Sequence, residues 1–190
     1  MYDARRRPGT PCSGGTASGG DTPGTPGSAP GSPAAGTAPA TGAGLVVYQA
    51  SATGELSFLL LRSRHGRRQW SFPKGHFAAN ETGALACALR ETEEETGITH
   101  AQLRLIGDFR HRVEIVLPRA TKAVPGGRKR IVFFLARAAR GARTRLSSEH
   151  SEMVWVPGAQ ASRMLEAEQR DLLARALVVA RGDTDNKNLS

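Results

Sequence analysis

Arg90-Glu91-Thr92-Glu93-Glu94-Glu95-Thr96-Gly97-Ile98 is the stretch on which the fold turns. Upstream of it Leu85, Ala88, Leu89 and Thr92 recur at spacings of three and four, which predicts a helix over 82–96 with one apolar stripe. Gly97 then acts as its C-terminal stop. On that helix Glu91, Glu94 and Glu95 stand at i, i+3 and i+4, so they share one face about one turn apart. Carboxylates so placed repel, and they suit a hard divalent cation such as Mg²⁺ or Mn²⁺. Such ions can polarise a phosphoryl group and lower the pKa of a bound water. Arg90 sits beside the first acid and can pair with a neighbouring carboxylate to hold it in position. Taken alone, an acidic run on a helix reads as a solvated face. The residues around it have to decide.

Outward toward the N-terminus, the segment 69–76 reads QWSFPKGH, in which Pro73 and Gly75 end any strand. Before it lies a basic loop with Arg62, Arg64, His65, Arg67 and Arg68. Residues 45–49 and 55–62 are strand-like, and Ser51-Ala52-Thr53-Gly54 between them has turn chemistry, so a hairpin is expected. The continuous apolar run Phe58-Leu59-Leu60-Leu61 fits a strand covered on both faces. Toward the C-terminus, strands are expected over 103–106, 112–117, 131–136 and 152–156. A long basic loop, 119–130, carries Arg119, Lys122, Arg128, Lys129 and Arg130. Helical segments are expected over 157–165 and 169–181. A helix set between antiparallel and mixed strands argues for an α/β sandwich (α+β) rather than a doubly wound sheet.

Residues 1–43 are mostly Gly, Pro, Ser, Thr and Ala, with no apolar periodicity. Such a stretch buries too little surface to offset the entropy of ordering it, so a disordered tail is expected, with the folded domain over 44–182 and a flexible end over 183–190. The formal net charge is +9. Arg5, Arg6 and Arg7 against Asp3 and Asp21 leave +1 on the tail and +8 on the rest. A basic domain points to an anionic partner, a polyphosphate or a nucleic acid, although basic surfaces also simply solubilise. Of the two cysteines, Cys12 falls in the tail and Cys87 within the helix, a pattern that gives neither a disulfide framework nor a zinc site. Cys87 is expected to be a small core residue, which fits a reducing compartment and a cytoplasmic location. There is no apolar run of 18 or more residues, so no membrane-spanning helix is expected. The Arg-bearing N-terminus has neither the apolar stretch of a secretory signal nor the amphipathic pattern of a transit peptide. No sequence feature speaks to oligomeric state.

Gly75, five residues, Glu81, then Arg90-Glu91, Glu94-Glu95 and Gly97-Ile98 together resemble the box of the Nudix hydrolase family. There are two departures. Thr92 stands where an aliphatic residue is usual, and eight residues rather than seven separate Glu81 from Arg90. The extra residue falls around Thr82-Gly83-Ala84, where glycine absorbs a bulge at no steric cost, so it puts Glu81 in question and leaves the helix face intact. The resemblance implies a mixed β-sheet sandwiched between helices, and metal bound by Glu91, Glu94, Glu95 and the backbone carbonyl of Lys74.

The flanks extend the likeness. FLLL, QWSFPKGH and RLSSEHSEMVW, spread over 58–165, resemble the asymmetrical diadenosine tetraphosphate hydrolases. That implies cleavage of a phosphoanhydride bond, giving ATP and AMP. It further implies Lys74 and His76 on the phosphate chain and Glu149 on metal or water, with Glu152 as the alternative. The stacking aromatic of those enzymes falls near Ile115, which leaves Phe133 or Phe134 as the aromatic substrate contact, Phe133 being the candidate. The basic loop suits other anionic substrates as well: a diphosphoinositol polyphosphate, an RNA 5′ end or a nucleotide sugar. A non-catalytic nucleotide-binding domain is the remaining alternative, and the intact Glu91-Glu94-Glu95 set argues against it.

Overall fold

Among the described residues, seven strands form one mixed sheet with helices on both faces. The computed structural model describes residues 39–66, 68–116 and 126–187. The expected disordered tail lies outside the described residues up to position 38, as do Arg119 and Lys122 of the basic loop.

The first two strands are the expected hairpin: β1 (Gly42–Ala50) pairs antiparallel with β2 (Leu56–Ser63), Tyr48 facing Phe58. Two short strands follow, β3 (Trp70–Ser71) on the edge of β2 and β4 (Lys74–His76) on the start of β1. Helix α1 (Ala84–Thr96) comes next, then a 3₁₀ turn (His100–Gln102) and β5 (Leu103–Val116). Strand β6 (Arg128–Ala138) runs antiparallel to β5 and parallel to β1. Strand β7 (His150–Pro157) pairs with β2, and α2 (Gly158–Met164) and α3 (Ala167–Lys187) complete the chain. The order across the sheet is β3-β2-β1-β6-β5.

Strand alternation divides the core in two. Tyr48, Phe58, Leu60, Phe72, Ile131, Phe133 and Leu135 face α2 and α3, which contribute Ala161, Leu172 and Ala176. Leu45, Val47, Leu59 and Ala136 face α1, which contributes Cys87 and Ala88. Coverage of both faces explains the unbroken Phe58–Leu61 run. Each fully buried leucine in these layers adds roughly 1.5–3 kcal/mol.

The structure corrects the sequence reading at several points. The two strands expected over 103–106 and 112–117 are one strand, because Gly107, at φ 43°, absorbs an irregularity between Leu105 and Arg110 while pairing with β6 continues on either side. Arg128, Lys129 and Arg130 belong to β6 rather than to a loop. Strand β1 begins at Gly42, two residues before the expected start of the domain. The boundary at 182/183 also fails, since α3 runs on to Lys187 and Asp183 is bonded into the domain. The Tyr48 hydroxyl donates to Asp183 Oδ2 at 2.7 Å, and Arg104 reaches Asp183 Oδ1 at 2.6 Å.

Candidate active site

The site is assembled where α1 crosses the β4 end of the sheet. The stripe α1 buries is Cys87, Ala88, Thr92, Glu95 and Thr96, with Leu85 and Leu89 only half-buried. Thr92 is tolerated where an aliphatic residue is usual because its hydroxyl donates to the Ala88 carbonyl at 2.7 Å, leaving the methyl to pack. Gly97 closes the helix at φ 72°, its N–H donating to the Glu93 carbonyl at 2.8 Å. A Cβ there would also crowd the backbone of Arg145.

Gly75 is required by contact. A Cβ on it would overlap the carboxylate of Glu91, so the helix acid lies directly against the β4 backbone. Glu95 is 8% exposed, and its Oε2 accepts the Lys74 backbone N–H at 3.0 Å. Burial pushes the Glu91 carboxyl up, overriding its 2.9 Å ion pair with Arg90. Burial pushes Glu95 further, to about 7, against the pull of the Lys74 charge and backbone N–H, while Glu91 and Glu149 push it the same way as burial. Glu149 lies on the exposed turn before β7, and the effect of its charge is the smallest of those that raise Glu95.

Arg90 organises the acids. Its Nε bonds Glu81 Oε1 at 2.7 Å, one terminal nitrogen reaches Glu91 and Glu94 at 2.9 Å, and the other donates to the His76 carbonyl at 2.9 Å. The Arg90 hydrogen bond holds Glu81 below the usual carboxylate range, and Ala78 N–H donates to Glu81 Oε2 at 2.8 Å. The extra residue of the box is thus taken up before the helix, at Gly83, its N-cap, and Glu81 is in place. Glu94 is the outlier of the three helix acids, 58% exposed and turned to Arg90.

Lys74 lies at the centre of a second, cationic group. Its Nζ donates to Ser71 Oγ at 3.1 Å. Burial lowers the pKa of Lys129, of His150 and of His76; the Lys74 charge adds to each, and for His76 the Lys129 charge adds more. Lys74 and Lys129 line a cavity of about 330 Å³ whose walls include Arg68, Trp70, Ile115 and Gln169. Lys129 is a residue the sequence reading left in the loop. The signal lay in strand alternation, which puts it on the same face as Ile131 and Phe133.

Phe133, the expected substrate contact, is fully buried and packs edge-on against Phe72, their centroids 6.2 Å apart. Phe134 faces the α1 side, with the Arg110 guanidinium 5.9 Å from its ring centre. The aromatic ring on the cavity is instead Trp70, which has Arg62 5.9 Å from its centre. Glu152 is engaged elsewhere, in a 2.6 Å ion pair with Arg62.

Among the described residues no three carboxylate, imidazole or thiol groups converge as a ready-made cage. The donors that face one another, Glu91 and Glu95, are desolvated oxygen ligands with like charge and a backbone pressed against them. That set fits a hard cation that keeps waters and phosphate oxygens as its other ligands.

Known proteins resemble this chain in sequence and fold. The model of the NUDIX domain matches residues 38–176. The asymmetrical bis(5′-nucleosyl)-tetraphosphatase of Mus musculus is 37% identical over 102 residues, 53% of this chain and 64% of the mouse protein. That of Rattus norvegicus is 34% identical over 115 residues, 60% of this chain and 73% of the rat protein. The chain thus spans about two thirds of the length of these curated relatives. A crystal structure of a C. elegans Ap4A hydrolase binary complex superposes with a TM-score of 0.65 at 30% identity, covering 74% of this chain and 97% of that one. No helix among the described residues is long and apolar enough to cross a membrane.

Proposed function

The chain belongs to the Nudix family, and from that premise we propose that it hydrolyses a phosphoanhydride bond in a dinucleoside polyphosphate, diadenosine tetraphosphate giving ATP and AMP. One observation carries this reading. The backbone N–H of Lys74 is bonded to Glu95 while its side chain lines the cavity shared with Lys129, so one residue links the acids to a pocket that suits a phosphate chain. The resemblance to the tetraphosphatases, at 34–37% identity, supports the substrate class.

In this reading Mg²⁺ or Mn²⁺ would be held by Glu91, Glu94, Glu95 and the Lys74 carbonyl, and would supply charge neutralisation and a more acidic bound water. Lys74 and Lys129 hold the phosphates as point charges, and His76 donates to a phosphate oxygen. Glu149 accepts the proton of the attacking water as its oxygen bonds to phosphorus and the bridging P–O bond breaks, ATP leaving with that oxygen. Arg90 keeps Glu81, Glu91 and Glu94 in register, and Trp70 offers a ring to a nucleobase in the place that Ile115 does not fill. A cytoplasmic setting belongs to the same reading, since the Cys87 thiol is free, buried and pushed up to about 11 by burial.

Arg68, Lys74 and Lys129 line the cavity beside Glu166 and Glu168, and cations there suit phosphate whatever the base, which keeps a diphosphoinositol polyphosphate, an RNA 5′ end or a nucleotide sugar as a second reading. Product chromatography after incubation with diadenosine tetraphosphate and Mg²⁺ tests the proposal, with ATP plus AMP expected. Release of phosphate from a diphosphoinositol polyphosphate or a 5′-triphosphorylated RNA, without action on diadenosine tetraphosphate, would replace it with the second reading. Nucleotide binding with no turnover of any of these would make the domain non-catalytic.

A further inference from the structure

Arg64, the first residue after β2, makes three hydrogen bonds to one short stretch. Its backbone N–H donates to the Glu149 carbonyl at 2.9 Å. Its Nε donates to the Ser148 carbonyl and a terminal nitrogen to the His150 carbonyl, both at 3.1 Å. Three consecutive carbonyls, 148 to 150, are therefore bonded by one residue. From the other side the same stretch is tied to the end of α1: Ser147 N–H donates to the Glu95 carbonyl at 3.1 Å, and Arg145 N–H to the Thr96 carbonyl at 2.7 Å. The buried His150 ring closes the turn, its Nδ1 3.0 Å from Ser147 Oγ and its Nε2 3.7 Å from Glu95 Oε1. Yet the Glu149 side chain itself is exposed. A carboxylate on a surface turn points usefully only if its backbone is fixed, and a guanidinium fork bridging the flanking carbonyls fixes it.

We infer that Arg64 is a positioning residue for Glu149, clamping the turn before β7 that Ser147 ties to the end of α1, so that the Glu149 carboxylate keeps a fixed place on it. This rests on the proposed role of Glu149 in the reaction. Lysine cannot bridge the Ser148 and His150 carbonyls as the fork does, so it replaces the clamp only in part. Because Arg64 is exposed, its truncation opens no core, and thermal unfolding is expected to move little.

Two measurements on the whole chain test this. Amide hydrogen exchange at Ser147 and His150 is expected to speed up about tenfold or more in Arg64→Ala, with Arg64→Lys between it and the wild type. Unchanged exchange would overturn the clamp, whatever the substrate. Turnover of diadenosine tetraphosphate with Mg²⁺ is then compared in a cycle of Arg64→Ala, Glu149→Gln and the double variant. Arg64→Ala is expected to lower kcat about tenfold with KM nearly unchanged, and to have almost no further effect once Glu149 is Gln. Equal losses in both backgrounds would show that Arg64 acts on the fold at large and would overturn the inference. A Glu149→Gln protein with wild-type turnover would remove Glu149 from the reaction and the positioning role with it. Absence of any wild-type turnover would overturn the substrate reading alone, and the exchange comparison would still decide whether Arg64 holds the turn.

Discussion

Arg90 Nε lies 2.7 Å from Glu81 Oε1, so the acid that the box spacing leaves one residue out of step is tied back to the helix that follows it. The same guanidinium serves Glu91 and Glu94. Replacing it leaves three carboxylates close together with no cation among them. Arg90→Ala is expected to lower kcat by about 10²-fold and to raise the Mg²⁺ concentration for half-maximal rate, while Arg90→Lys, which keeps the charge and loses the fork, loses about tenfold. Steady-state kinetics across a Mg²⁺ series measures both, and an Arg90→Ala protein with wild-type kcat would end the organising role.

Glu94 is the most exposed of the three helix acids, and the ionic role proposed for it does not depend on packing. Glu94→Gln should keep the fold, as read by circular dichroism, and lose at least ~10²-fold in turnover. Chelation of divalent ions should abolish turnover reversibly. Near-normal activity in the variant would take Glu94 out of the mechanism.

Gly75→Ala tests contact rather than charge. The added methyl overlaps the Glu91 carboxylate, the far end of a side chain that can swing aside. A cost of about 1 kcal/mol or less in unfolding free energy is expected, because the carboxylate can move away. Activity should fall more than stability does, because the displaced group is a metal-binding candidate. Calorimetry and kcat on the same preparation separate the two, and an unchanged kcat would mean that Glu91 need not lie against β4.

Asp183→Ala probes the far end of the sheet. Burial by itself would raise the Asp183 pKa, but the hydrogen bonds from Arg104 and Tyr48 outweigh it and hold the carboxyl below its ordinary value. A carboxyl depressed in the folded state stabilises above its unfolded pKa, and that stability is lost as pH falls through the folded value. Asp183→Ala should therefore cost about 1–3 kcal/mol near neutrality, chiefly from the stranded Tyr48 hydroxyl and Arg104. The difference should shrink in acid below pH ~4. Denaturant melts at several pH values would show it, and a pH-independent difference would assign the loss to packing alone.

The acids of α1 were legible because helical spacing alone puts Glu91, Glu94 and Glu95 on one face, and the hairpin was legible because the turn residues at 51–54 are local. What escaped depends on partners distant in sequence. Phe133 and Phe134 are adjacent aromatics, and which one meets the core depends on the parallel register with β1, where Phe133 faces Gly44. Lys129 looked like loop charge because the apolar signal of β6 begins only at Ile131, although the strand starts at Arg128. The end of α3 was cut short at 182 because its last turns are polar. They hold through Asp183, bonded to Tyr48 135 residues earlier, a contact no local pattern announces.

Lys74 divides its labour within a single residue: its main-chain N–H is spent on Glu95, its ammonium on the cavity. In the proposed reading, the half of the site that would hold ions is consequently anchored to backbone, while the half that would meet the ligand is a lining of side chains on β3, β5 and β6. On that reading, exchange of Trp70, Ile115 or Lys129 one at a time would alter which anion is accepted while leaving the Lys74–Glu95 bond in place.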